Sequence, residues 1–173
     1  MAILIVLPNE EFRDESVNTT RLFLDKWRVP YSFASFGTGM CRGSHGESLR
    51  HDLGAAQARP AEFDALVLID GDGVEAQRLY EYRPMLDLVA RFSQARKLIC
   101  AIGNTMKIAA RANVVNGKRF AEAPDEDTRR LMLLFNGVPS ANAFEVSDNL
   151  MTVRDSGQLS QAIQELLKRI GVY

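Results

Sequence analysis

The sequence predicts an α/β domain built on a mostly parallel sheet with helices on both faces. Short apolar runs with the length of buried strands alternate with segments whose apolar residues recur at helical spacing. The chain has 173 residues, 46% of them hydrophobic, which is enough to bury a sizeable core. It has no internal repeat or evident linker. We therefore predict a single domain over residues 1–173.

The first half of the chain contains three predicted strands, over residues 3–7, 31–35 and 66–69. A helix is predicted between the first two, because one helical face carries Val17, Thr20, Leu24 and Trp27. Arg28-Val29-Pro30 ends this helix, since the residue before a proline avoids the helical conformation.

The second half contains two further predicted helices and a hairpin. Pro84 suits the first turn of a helix that buries Met85, Leu88, Val89 and Phe92. The last helix has one apolar stripe and a closing Gly171; the stripe consists of Leu159, Ile163, Leu166, Leu167 and Ile170. Residues 144–146 and 150–153 flank Ser147-Asp148-Asn149, which predicts a tight connection.

A buried strand over residues 98–102 turns abruptly into a helix, and the turn holds Gly103. Asn104 is predicted to cap that helix, which continues through Met106, Ile108, Ala109 and Ala110. A thiol at the turn would have its pKa lowered by the helix N-terminus. Glycine offers only backbone at this position.

These residues resemble the ThiJ/PfpI family of the glutamine amidotransferase-like superfamily. The family strand usually ends Ala-Ile-Cys-His-Gly, with the cysteine on a nucleophile elbow, whereas this chain reads Ala101-Ile102-Gly103-Asn104-Thr105. The opening segment 4–15 is similar to the family's first strand and Phe-Glu-Asp signature, with Arg13 in place of the glutamate that pairs with the thiol. Ser16 takes that place in relatives whose acid lies three residues further on.

Other segments extend the resemblance over most of the chain. Residues 64–71 are similar to a family strand that ends Pro-Gly-Gly, with Ile69 and Asp70 replacing the proline and first glycine. Ser44-His45-Gly46 with Asp52, and residues 149–154, match two non-catalytic patterns. The resemblance implies a flavodoxin-like three-layer sandwich and a homodimer, in which the framework is retained and the catalytic positions are replaced.

The resemblance also implies a vestigial pocket at the strand ends. Its predicted residues are Arg13, Asp14, Glu15, Ser16, Asp70, Gly71, Gly103, Asn104 and Thr105. We hypothesise that Arg13 and Asp70 form an ion pair across it; the alternative is that Arg13 points to solvent. Asp70 would repel a developing oxyanion and so oppose the family chemistry.

The leading functional interpretation is a non-catalytic homologue acting as a ligand-sensing, stress-related or interaction protein. Backbone N–H groups at Asn104 and Thr105 could still bind a small anion. The alternative is a hydrolase, deglycase or glyoxalase-like enzyme that uses groups other than the family cysteine. Its candidates are Asp14, Glu15, Asp70 and Cys100, of which buried Cys100 is the least suitable.

Other motifs are weaker. Gly39-Met40-Cys41-Arg42-Gly43 has the spacing of a hydrolase elbow but lacks a following helix. Cys41, His45, His51 and Asp52 lack the paired spacing of a zinc site, so we predict neither a metal nor a cofactor. Tyr80 and Tyr82, near Arg78 and Arg83, are interpreted as parts of a solvated face.

Charge and cysteine content limit the partners and the compartment. A formal charge of -1, with both signs interspersed, argues against nucleic acid and anionic membrane surfaces. Two cysteines far apart indicate a reducing compartment rather than a disulfide framework. The apolar segment at residues 2–7 is too short for a signal or membrane segment, so we predict a cytoplasmic protein.

Overall fold

The computed structural model describes residues 1–37 and 39–173, and most of its strands belong to one central sheet. The strands are β1 Ile3–Val6, β2 Glu10–Phe12, β3 Tyr31–Ser35, β4 Met40–Gly43, β5 Ser48–Arg50, β6 Leu53–Gly54, β7 Ala65–Leu68, β8 Leu98–Ile102, β9 Arg119–Phe120, β10 Val138–Pro139, β11 Phe144–Ser147 and β12 Leu150–Val153. The helices are α1 Asp14–Lys26, α2 Asp72–Ala76, α3 Arg83–Gln94, α4 Met106–Arg111, α5 Glu126–Leu134 and α6 Leu159–Arg169.

The central sheet has the strand order β11-β12-β8-β7-β1-β3-β6. Every pairing in it is parallel except the β11–β12 hairpin, which is antiparallel. Ile5 at its centre lies opposite Phe33 of β3 and Val67 of β7. All residues of β1 and β7 are buried, as expected for parallel strands covered on both faces.

The sheet divides the core into two clusters because successive side chains of a strand point to opposite faces. Ile3 and Ile5 pack with apolar residues of α1 and α6, whereas Leu4 and Val6 pack with those of α3 and α4. The predicted apolar stripe of α6 accordingly lies against the sheet, with Leu159, Ile163, Leu166 and Leu167 fully buried. The predicted three-layer, flavodoxin-like α/β fold is confirmed.

Two aromatic predictions were wrong. Trp27 was predicted on the buried face of α1, but α1 ends at Lys26 and Trp27 is 41% exposed, stacked 4.5 Å from the ring of Tyr173. Tyr80 was predicted on a solvated face, yet it is only 9% exposed. It lies in a 3-10 turn, Leu79–Glu81, where its hydroxyl donates to Glu75.

In residues 1–37 and 39–173 we find no helix that is both long and apolar enough to cross a membrane. Cys41 and Cys100 are both free, buried thiols.

Candidate functional site

The site lies at the carboxyl ends of β1, β7 and β8, which are neighbours in the sheet. Parallel strands end at the same edge, so the segments that follow these three strands meet there. Arg13 lies just before α1, Asp70 two residues after β7 and Gly103 directly after β8. The topology therefore brings together three residues that are distant in sequence.

The Asp70 carboxyl is the centre of this cluster and is bound on both oxygens. Arg13 Nε donates to Oδ2 at 3.1 Å, and Ser16 Oγ donates to Oδ1 at 2.6 Å. The two residues are also joined through the main chain, since Arg13 N–H donates to the Asp70 carbonyl oxygen at 2.8 Å. The hypothesised Arg13–Asp70 ion pair is confirmed.

Burial dominates the electrostatics of Asp70. Its side chain is 5% exposed, and desolvation raises the pKa of the carboxyl above its ordinary value. The hydrogen bond from Ser16 and the charge of Arg13 lower the pKa by smaller amounts. Arg13 itself is 42% exposed, so the pair joins a buried carboxyl to a half-open guanidinium.

Gly103 forms the elbow between β8 and the helical segment that follows it. Its φ is +55°, a left-handed conformation that glycine adopts without the steric cost of a Cβ. A Cβ built on Gly103 would lie 2.9 Å from Asp70 Oδ2 and 3.2 Å from Asp70 Cβ. The Asp70 side chain thus fills the space that a side chain at the elbow would need.

Asn104 does not cap a helix as predicted. Gly103–Thr105 forms a 3-10 turn ahead of α4, and no side-chain hydrogen bond caps either segment. Asn104 Nδ2 instead donates to the Gly71 carbonyl oxygen at 2.9 Å, and its Oδ1 accepts from Gly71 N–H at 3.4 Å. The amide therefore ties the elbow to the loop after β7.

Thr105, Asp14 and Glu15 were predicted in the pocket, but their contacts lie elsewhere. The Thr105 hydroxyl turns inward and donates to the Ile102 carbonyl at 2.7 Å. Asp14 is buried against Gly43, where its Oδ2 accepts from Glu47 N–H at 3.3 Å. Among the described residues, Asp14 Oδ1 has no hydrogen-bond partner. Glu15 is exposed and accepts a hydrogen bond from Ser156.

A small open cavity of about 160 Å³ adjoins the cluster. Of the predicted pocket residues it is lined by Arg13 and Gly71; its other lining residues are Ser44, His45 and Asp72. Ser44 and His45 belong to a segment that the sequence matched to a non-catalytic family pattern, and they lie in a local turn. In this turn Gly46 has a φ of +93° and its N–H donates to the Gly43 carbonyl oxygen, and the turn borders the cavity.

Neither thiol is suited to nucleophilic chemistry. Cys100 is fully buried on β8, and burial, together with the charge of Asp70, raises its pKa to about 12. Cys41 lies on β4, which pairs with β5 and is not followed by a helix. Burial raises the pKa of Cys41 as well.

Two of the residues weighed as metal ligands, His51 and Asp52, have other partners. Asp52 Oδ2 accepts from Phe33 N–H at 2.8 Å, and His51 Nδ1 lies 3.0 Å from the Leu53 carbonyl oxygen. Across the residues that the structure describes, no three or more His, Cys, Asp or Glu side chains are grouped so that they could hold a metal ion.

A second polar cluster, missed by sequence reasoning, joins α2 to α4. Glu75 accepts from Tyr80 Oη at 2.7 Å and from Lys107 Nζ at 2.9 Å. Lys107 Nζ also lies 5.1 Å from the centre of the Tyr80 ring. These hydrogen bonds lower the pKa of Glu75. The helical position of Lys107 was visible in the sequence, but its partners come from a segment that was not predicted to be helical.

Comparisons with known proteins all indicate the same protein family. The sequence model of the DJ-1/PfpI family matches residues 1–169. A deglycase of Pyrococcus abyssi is 30% identical over 136 residues, covering 78% of this chain and 79% of that protein. An uncharacterised protein of Methanocaldococcus jannaschii is 21% identical over 168 residues, covering 97% of this chain and 82% of that protein.

Solved structures share the fold. A ThiJ/PfpI domain protein from Brachyspira murdochii superposes with a TM-score of 0.89 at 20% identity, covering 99% of this chain and 95% of that chain. Drosophila melanogaster DJ-1β superposes with a TM-score of 0.84 at 20% identity, covering 99% of this chain and 91% of that chain.

Proposed function

Because this chain belongs to the DJ-1/PfpI family, we propose that it is a family member without thiol catalysis, which acts by binding a ligand or partner. The observation that carries this proposal is the contact between Gly103 and Asp70. The elbow bears no nucleophile, and the adjacent carboxyl, held by Arg13 and Ser16, fills the space that a nucleophile would occupy.

The groups that remain are poorly placed for chemistry at the elbow. Asp70 has both carboxyl oxygens engaged and is almost fully buried, so neither oxygen is free to accept a substrate proton. Cys100 is buried, with a raised pKa. Asp14 and Glu15 contact other parts of the chain. A hydrolase, deglycase or glyoxalase-like activity is the alternative, and the name of the Pyrococcus abyssi relative makes deglycase activity the first to assay.

A turnover assay on a dicarbonyl, a glycated amine and a casein peptide tests the proposal. We expect no turnover above that of heat-denatured protein. Activity that disappears in Asp14→Ala, Glu15→Ala or Cys100→Ser, with folding preserved, would establish the enzymatic alternative.

A positive control comes from rebuilding the elbow. The triple variant Gly103→Cys, Asp70→Gly, Arg13→Glu restores a thiol, clears the space above it and returns an acid to position 13. We expect iodoacetamide to label this thiol rapidly in the folded protein, whereas Gly103→Cys alone should fold poorly or label slowly because of the contact with Asp70.

The cavity beside Arg13 suits a small anion. Arg13 uses Nε for Asp70, so its terminal nitrogens remain as donors in a half-exposed guanidinium, and Ser44 and His45 line the same space. We place the anion here rather than at the backbone N–H groups of Asn104 and Thr105, because the Asp70 carboxyl lies over the elbow. Acetate and inorganic phosphate, titrated by NMR, should shift resonances around Arg13 in the wild type. They should not do so in Arg13→Gln, while Arg59→Gln serves as the exposed-arginine control.

We also propose a homodimer. Leu22 on α1 is 66% exposed and Trp27, directly after α1, is 41% exposed, and exposed large apolar side chains favour association. Light scattering should give twice the chain mass of 19.3 kDa, and Leu22→Glu should reduce it to the mass of one chain. An unchanged mass in that variant would mean that α1 lies outside the interface.

A further inference from the structure

A groove separate from the elbow lies at the carboxyl edge of the sheet, where the strand order reverses. From β1 the chain continues to β3 on one side, and it later returns to β7 on the other side of β1. Open α/β sheets bind ligands in the crevice that such a reversal creates. The groove is lined by residues that follow β1, β3 and β7, and it shares none of them with the cavity beside Arg13.

The groove has a volume of about 460 Å³ and mostly apolar walls. Phe36 and Tyr82 form one wall, with their rings edge to face and 5.3 Å between centroids. Ala76 and Leu79 also line the groove. This volume falls within the range of small-molecule pockets, which combine apolar walls with a few convergent polar groups.

The polar groups here are carboxylates. Glu10 and Glu11 line the groove, both are exposed, and within the described residues neither makes an ion pair or a side-chain hydrogen bond. Arg78 pairs with Glu81 and Arg83 with Asp87, whereas Arg42 of β4 lies opposite Glu10 in the pairing of β2 with β4. A ligand in the groove would therefore meet two carboxylates that make no ion pair within the described residues, beside aromatic faces.

The groove is also held in shape before any ligand arrives. A Cβ on Gly73 would lie 1.8 Å from the Glu10 carbonyl oxygen, so α2 approaches β2 closely because residue 73 is glycine. Gln77 Nε2 donates to the same carbonyl at 3.2 Å. Glu11 has a φ of +56°, which orients the segment bearing both carboxylates.

We propose that this groove binds a small organic cation: a primary or secondary amine carrying an aromatic or branched aliphatic body. The apolar body would pack against Phe36, Leu79 and Tyr82. The ammonium group would lie near Glu10 and Glu11 and against the aromatic faces, which attract cations. Charge complementarity selects an amine over a carboxylate of the same shape.

The test titrates 2-phenylethylamine into isotopically labelled protein and follows amide resonances. The matched probes are 3-phenylpropionate, which carries the opposite charge, and 2-phenylethanol, which is neutral. We expect the amine to bind most tightly and to shift resonances of residues 9–11, 36–37 and 76–82. No saturable shifts up to about 10 mM, or equal binding of the carboxylate, would overturn the proposal.

Two sets of variants locate the binding. Glu10→Gln and Glu11→Gln should each weaken amine binding by up to about fivefold and leave 2-phenylethanol unchanged. Ala76→Trp, which adds bulk at an exposed position on the wall, should abolish binding of all three probes, whereas Glu165→Gln on α6 should change none. Unchanged binding in Ala76→Trp would overturn the proposal. A change in the oligomeric state of the Ala76→Trp variant would also overturn the proposal, because the groove would then be an interface between two copies of the chain.

Discussion

At the scale of single residues, Asp70 determines how much space is available for a side chain at the elbow. Its carboxyl is buried, bound by Arg13 and Ser16, and lies against Gly103. A buried carboxyl of this kind is expected to couple folding to pH, because its proton affinity differs between the folded and unfolded chain.

The first prediction concerns that coupling. Desolvation raises the pKa of Asp70 in the folded protein, so between the unfolded pKa of about 3.9 and the higher folded value the folded chain binds more protons. The stabilising contribution of Asp70 is therefore present below the unfolded pKa and is lost as pH rises through the folded pKa. Urea unfolding should show that wild type loses stability relative to Asp70→Asn as pH rises above about 4.

Arg13→Gln provides the matched comparison. It removes the cation that lowers the pKa of Asp70, so the pH-dependent loss of stability should extend to higher pH than in the wild type. A difference between wild type and Asp70→Asn that is constant with pH, or that grows as pH rises, would contradict this account.

Sequence reasoning identified the Arg13–Asp70 pair because both residues were matched to positions that converge at one sheet edge. It did not find the contact of Asp70 with Gly103 or the role of Asn104. Those depend on side-chain rotamers and on a 3-10 turn at the elbow, and neither leaves a periodic signal in the sequence. Asn104 looked like a helix cap because asparagine is a common capping residue, whereas here its amide is bound to Gly71.

At the scale of elements, the loops after β7 and β8 are joined by the amide of Asn104. Asn104→Ala removes two hydrogen bonds to Gly71 and leaves its main-chain groups partly unpaired. We expect the free energy of unfolding to fall by about 1 to 2 kcal/mol. Asn18→Ala, on the exposed face of α1, is the control and should change stability by less than about 0.5 kcal/mol.

A second element-scale prediction concerns the attachment of α2 to α4. Tyr80→Phe removes the hydrogen bond from the Tyr80 hydroxyl to Glu75 and should cost about 1 kcal/mol of unfolding free energy. Tyr82→Phe is the matched control, because Tyr82 is 43% exposed and contributes its ring to the contact with Phe36. Equal effects in thermal or urea unfolding would mean that the Glu75 cluster contributes no stability.

Sequence reasoning missed two helices, α2 and α5. α2 has five residues, too few to display helical periodicity, and α5 is mostly polar. The sequence did carry a signal for the start of α5, namely an aspartate suited to an N-cap, Asp125, followed by the acidic residues Glu126 and Asp127. In the structure the Asp125 side chain accepts from Thr128 N–H at 2.7 Å. The small sheet of β2, β4 and β5 has strands of three or four residues, which also lack a clear pattern.

At the scale of the whole molecule, the long buried elements were predictable because burial on both sheet faces imposes apolar runs. β3 and β8 have the predicted bounds, β1 ends one residue earlier than predicted, and β7 begins and ends one residue earlier than predicted. The same burial hides both thiols, since Cys41 and Cys100 have no exposed surface.

Thiol labelling should therefore report global opening of the fold. We expect a disulfide reagent to modify both cysteines quickly in denaturant and only at the rate of unfolding in native buffer. Stoichiometric labelling within seconds in native buffer would show that one thiol becomes accessible by a smaller local motion. Repeating the labelling with Cys41→Ser and with Cys100→Ser would identify which thiol becomes accessible.

The contact between Asp70 and Gly103 also has an evolutionary consequence. A single substitution that placed cysteine at the elbow would set its Cβ against the Asp70 carboxyl, in a backbone conformation that glycine adopts freely and cysteine does not. Residue 70 must become smaller before residue 103 can become larger. The order of mutational steps toward a thiol at the elbow is thus constrained, because the first step adds no thiol.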